Sequence, residues 1–183
     1  MNRKLKYMLM AIGEHFLYIV MSFVLMFILG ALLSKVLWAL SLITALVYLS
    51  AVYSSGWSNS GKDFRAAKAK AKELGTDNIT GYKIYSGFVY AVPLLVLSVI
   101  MLILDNTLGS YFTVAFRVYN FAFVYFLDIK AIPGIVAEVI ITVLPFVFYG
   151  LGYIAGKDKK VFVSKYLYKL VYKNNKNEEK LRK

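Results

Sequence analysis

Long apolar runs constrain this chain more than any other feature. A helix that crosses a hydrocarbon core of ~30 Å needs about 20 mostly apolar residues. Four stretches meet that requirement, at about residues 11–33, 36–54, 84–104 and 132–155. Only Ser34 and Lys35 interrupt the first two, which predicts a tight antiparallel hairpin. Asp105 and Asn106 close the third run, and Gly156 and Lys157 close the fourth. Composition agrees: 60% of the residues are apolar and 17% charged, against about 45–50% and 25% in a typical soluble domain. The chain therefore reads as an all-α integral membrane protein, one membrane domain over residues 1–183 with four transmembrane helices.

Charge sets the orientation. Lys plus Arg is 22 and Asp plus Glu is 10, a net charge of +12. In a soluble protein that excess would suggest nucleic acid. Beside four apolar runs it is read through the tendency of basic residues to stay on the cytoplasmic side, so no nucleic-acid partner is expected. With both termini inside (N-in/C-in), only Lys35, Arg117 and Lys130 of the 22 basic residues fall outside. The segment 111–129 is apolar and long enough to be a fifth span, but crossing there would carry the whole basic tail outward. It is read instead as an outer-face aromatic helix, interfacial or re-entrant. Phe112, Phe116, Tyr119, Phe123 and Phe126 recur at alternating +4 and +3 spacing, one helical stripe. The basic N-terminus followed by an apolar run resembles a signal peptide. The run is too long for that and leads into a second span, so it reads as an uncleaved first helix.

Two basic cytoplasmic elements follow from this topology: a loop over 55–83 and a tail over 157–183. Within the loop, 60–74 reads as a separate helix, with Ser60 as N-cap and Gly75 as stop. Phe64, Ala67, Ala71 and Leu74 form a thin apolar stripe; Lys62, Arg65, Lys68 and Lys72 lie among the basic remainder. In the tail, 161–173 reads as an amphipathic helix with Lys165, Lys169, Lys173 and Lys176 on one face. Each element is either a solvated helix packed near the bundle or a surface for anionic lipid headgroups or a protein partner.

Charged groups within a span usually face the bundle interior, find a partner or serve a path. Glu138 begins a polar or small face on the last span, continued by Thr142, Pro145, Tyr149, Gly152 and Gly156. Gly152 and Gly156 form a GxxxG, which permits close helix approach. Glu14 and His15 lie in the first span, with Tyr18 and Ser22 on the face of Glu14. Ser41, Thr44 and Tyr48 give the second span a polar stripe. Pro93 and Pro145 are candidate kinks. In the simpler reading these groups satisfy one another: Glu138 with Arg117 or Lys130, Glu14 with a basic N-terminal residue or a tyrosine. In the functional reading, Glu138 and the Glu14–His15 pair flank a pathway for protons or a cationic solute, lined by tyrosine hydroxyls.

Several chemistries are excluded. There is no Cys, hence no disulfide or thiolate site, and one His, hence no multi-His metal site. No metal or cofactor is expected. Gly56 to Asp63 matches GxxxxGK, but Asp63 replaces the Ser or Thr that would bind magnesium, and the motif follows a membrane span instead of a strand. Its glycines are read as releasing the chain from the second span. No GxSxG or HExxH occurs.

The stretches GWSNSGKDFRAAK, TGYKIYSGFVYAVP and LPFVFYGLGYIAGKDKKVFVSKYLYK resemble small four-span membrane proteins of low-GC Gram-positive bacteria. The resemblance implies a bacterial inner membrane and carries no activity or site residue. Small multidrug transporters also pair four spans with a first-helix glutamate, but the match to Glu14 extends no further. Two functions are expected. The leading one is a non-enzymatic accessory or scaffold protein acting through its basic surfaces. The alternative is a small transporter or channel-like protomer, assembled as an oligomer and using its intramembrane carboxylates.

Overall fold

A computed structural model describes residues 3–33, 37–76, 79, 81–127 and 133–157. Among these, all regular structure is helical: α1 (Arg3–Leu33), α2 (Leu37–Glu73), α3 (Ser86–Leu108), α4 (Ser110–Tyr119), a short 3-10 helix (Phe121–Phe126) and α5 (Gly134–Gly156). Four of these, α1, α2, α3 and α5, are long and apolar enough to cross a membrane. Their outward faces are apolar as well, with Phe27, Leu46, Ile103 and Ile140 among the exposed large side chains. The tail helix expected over 161–173, with Lys165, Lys169, Lys173 and Lys176, lies outside the described residues, as does Lys130.

α2 corrects the reading of residues 55–83 as a loop containing a separate helix over 60–74. It runs unbroken for 37 residues, roughly 55 Å at 1.5 Å per residue, well beyond the ~30 Å of a hydrocarbon core. Tertiary packing carries the helix past residue 54, where the apolar run ends. Ser60 is no N-cap; it is fully buried in mid-helix. Gly75 does end the helix, at φ +64°. Its N–H and that of Thr76 reach back to the carbonyls of Lys72 and Ala71 at 3.1 and 3.0 Å, a Schellman closure that a glycine at this φ permits without strain.

α5 is the hub. It runs parallel to α2 and antiparallel to α3. The α2–α5 contact is backbone to backbone: a Cβ on Gly56 would lie 2.1 Å from the Tyr149 carbonyl oxygen, and one on Gly152 would lie 2.1 Å from that of Tyr53. Thus the glycines of the GxxxxGK match release nothing; Gly56 lies where two helices touch. Gly156 meets Trp57 in the same way. α1 lies antiparallel to α2, and Pro93 and Pro145 sit inside continuous helices.

The segment read as one aromatic helix over 111–129 is two pieces. After Gly109, α4 folds back along α3, so that Thr113 bonds Asp105 and Tyr119 meets Ser98. It stops at Asn120, whose side-chain amide and backbone N–H both bond to the Phe116 carbonyl, at 3.2 and 2.9 Å. Such side-chain competition for backbone acceptors favours helix ends. The 3-10 helix then packs its rings on α1 and α2: Phe121 stacks on Phe23 at 3.6 Å, and Phe123 meets Tyr48 edge-on at 5.4 Å.

Candidate functional site

The cores of these helices meet along a line of polar side chains. One end lies where α1 and α3 begin. There the Asp63 carboxylate, 8% exposed, accepts hydrogen bonds from the Tyr90 and Tyr153 hydroxyls at 2.9 and 2.8 Å, both on Oδ2. The rings pack together: Tyr90 meets Tyr153 at 5.6 Å, Tyr7 meets Tyr90 at 5.2 Å, and Tyr82 stacks parallel to Tyr153 at 5.8 Å. The Ser60 and Tyr82 hydroxyls are 2.8 Å apart. One turn deeper, the Asn59 amide donates to the Tyr149 hydroxyl at 2.9 Å, and the Tyr18 and Ser55 hydroxyls share a bond of 2.6 Å.

Glu14 and His15 come next. The Glu14 Oε2 atom is buried and has no hydrogen-bond partner among the described residues. His15 is 2% exposed. Its Nδ1 bonds the Tyr48 hydroxyl, and its Nε2 is buried without a partner among the described residues. The Tyr119 ring lies 4.4 Å from the imidazole, and its hydroxyl is 3.0 Å from that of Ser98. The space bounded by His15, Ile19, Tyr48, Tyr119, Asn120, Ala122 and Phe123 admits no water-sized sphere.

Beyond this level the line continues more sparsely. The Thr44 hydroxyl lies 2.9 Å from the Ser41 carbonyl and 3.2 Å from that of Ala122. The hydroxyls of Ser41 and Thr142 are buried without partners among the described residues. At the far end Glu138 accepts from the Asn106 amide at 3.1 Å. Glu138 thus has a neutral partner on α3 that the sequence did not suggest. Arg117 is exposed in the last turn of α4.

The structure therefore gathers Glu14, His15, Tyr18 and Tyr149 into one part of the core. Thr142 lies farther along it, and Glu138 lies at its opposite end. Thr142, Tyr149, Gly152 and Gly156 are all buried along α5. Lys62, Arg65, Lys68 and Lys72 are exposed on the last four turns of α2. Arg65, Lys68 and Lys72 line an open groove of about 550 Å³, whose other walls are Ala69, Ala71, Gly75, Thr76 and Ile79.

Sequence reasoning missed Asp63, Tyr90, Tyr153, Asn59 and Tyr119. A signal existed for two of them. The polar stripe of Ser41, Thr44 and Tyr48 continues through Ser55, Asn59 and Asp63 at helical spacing, and ending the span at residue 54 cut it. No protein family, curated protein or solved structure matches this chain.

Proposed function

We propose that this chain is a small membrane protomer that passes protons or a small cation along the polar line, held closed in this packing. The observation that carries the reading is the Glu14 Oε2 atom, buried with no hydrogen-bond partner among the described residues. Leaving a polar group bare in an apolar core costs roughly 1–3 kcal/mol by mutational measures, and more for a charge. A core selected only to stay folded would fill that position with a partner or a methyl group. Asp63 at one end and Glu138 at the other give the line an acceptor at each mouth, and the hydroxyls between them can both donate and accept.

The same reading takes both termini as cytoplasmic, on the strength of the basic residues at the start of α1, on α2 and in the tail. The Asp63 end then faces the cytoplasm. The segment from Ser110 to Phe126 becomes re-entrant, since Tyr119 reaches the level of Ser98, about 15 Å from the end of α3 by helical rise. The resemblance to small Gram-positive membrane proteins supports a bacterial cell membrane.

Purified protein in proteoliposomes carrying a pH-sensitive dye tests this. An imposed pH or cation gradient collapses faster with protein than without, and Glu14→Gln slows the protein-dependent part at least tenfold while the protein still melts at its normal temperature in detergent. Flux unaffected by Glu14→Gln and Asp63→Asn would refute the pathway.

A second reading is favoured by the exposed Arg65, Lys68 and Lys72 groove on α2. It makes the chain an accessory subunit that docks an acidic protein partner or anionic lipid there. Reversing these three charges would then abolish copurification of a partner from mild detergent without altering flux.

A further inference from the structure

Glu14 belongs to a circle of oxygen atoms drawn from three helices. Tyr18 follows it by one turn of α1, and the Tyr18 hydroxyl is 2.6 Å from that of Ser55 on α2. Asn59 follows Ser55 by one turn of α2, and its amide nitrogen donates to the Tyr149 hydroxyl on α5 at 2.9 Å. Glu14 in turn acts electrostatically on both the Tyr18 and the Tyr149 hydroxyls, which closes the circle. Its carboxylate is the member left over: Oε2 is buried with no hydrogen-bond partner among the described residues.

The chemistry of this circle selects its occupant. It offers a carboxylate and three hydroxyls, and a hydroxyl that donates to one neighbour keeps lone pairs for another. Oxygen sets of this kind suit hard cations. The one carboxylate balances one positive charge, whereas a divalent ion would leave net charge in an apolar core, at high cost. The joint between α2 and α5 sets the size. A Cβ on Gly56, next to Ser55, would lie 2.1 Å from the Tyr149 carbonyl oxygen. Backbones in such contact fix Ser55 and Tyr149 relative to each other, so the circle does not widen for a large or organic cation.

We propose that this circle binds one sodium ion, with Glu14 as the charged ligand and the hydroxyls of Tyr18, Ser55 and Tyr149 as neutral ones. The proposal deepens the pathway reading by naming its ion, and rests on it for the ion's passage; binding is a separate property. A proton on Glu14 is the competing occupant.

Equilibrium binding of radiolabelled sodium to the purified protein in detergent tests this, with choline holding the ionic strength. The wild-type protomer binds one ion, and unlabelled sodium displaces it at least tenfold better than potassium. Glu14→Gln abolishes binding. Tyr18→Phe and Ser55→Ala, each removing one neutral ligand, weaken it at least tenfold while melting near the wild-type temperature in choline. These two keep the test valid if Glu14→Gln fails to fold. No saturable binding by the wild type would overturn the site, as would binding that all three variants retain or that potassium displaces equally well. Proton flux that needs Glu14, without sodium binding, would sink the site and leave the pathway. Sodium that binds but does not cross a vesicle membrane would sink the pathway and leave the site.

Discussion

Two tyrosine hydroxyls converge on one oxygen of Asp63, and that makes the residue the polar anchor of its end of the bundle. Removing the acceptor leaves two buried donors unpaired, each at about 1–3 kcal/mol. Asp63→Ala should therefore lower the detergent melting temperature sharply, while Asp63→Asn, which keeps an acceptor oxygen, should lower it far less. Tyr153→Phe removes one donor and should fall between them. Scanning calorimetry or a thiol-free dye assay reads all three. Little of this residue-scale chemistry was legible in the sequence. Asp63 stood out only as the wrong residue in a phosphate-loop pattern, and its partners come from helices 27 and 90 positions away. Glu14 and His15 were legible, because a charge and an imidazole are conspicuous in an apolar run. That their buried Oε2 and Nε2 atoms lack hydrogen-bond partners among the described residues was not, since partnering is a property of the fold.

At the scale of elements, glycine gives the clearest contrast. Gly13 and Gly56 are both helical, yet a methyl group at Gly13 meets nothing within 4 Å, while one at Gly56 would lie 2.1 Å from a carbonyl oxygen. Gly13→Ala should stabilise the protein by about 0.5–1 kcal/mol through lost backbone freedom in the unfolded chain. Gly56→Ala should destabilise it by at least 1–3 kcal/mol through overpacking. Paired melting curves in one detergent check the opposite signs. The existence of four spanning-length helices was readable from hydropathy, because an apolar run of that length has few other fates. Their ends were not. The buried faces of Ser55, Asn59 and Ser60 carry α2 past the point where hydropathy falls, and an asparagine side chain divides the aromatic segment that periodicity joined.

For the molecule as a whole, orientation is the first property to measure. The chain contains no cysteine, so single replacements report cleanly. An impermeant maleimide added to intact cells should label Tyr111→Cys, at a position 91% exposed, and should label Leu74→Cys, also exposed, only after the membrane is opened. The reverse pattern would invert the bundle and exchange the roles of Asp63 and Glu138. Orientation was read from the placement of lysines and arginines, a statistical consequence of how chains insert, and contacts inside the bundle do not encode it. One consequence comes from the unbroken length of α2. The same unbroken helix carries Tyr48 and Asp63 in the core and Arg65 to Lys72 in its last turns, and it bears on α5 where Gly56 meets Tyr149. The Tyr48 hydroxyl that bonds His15 and the basic residues beyond Asp63 therefore belong to one element, and a tilt of α2 against α5 moves both together.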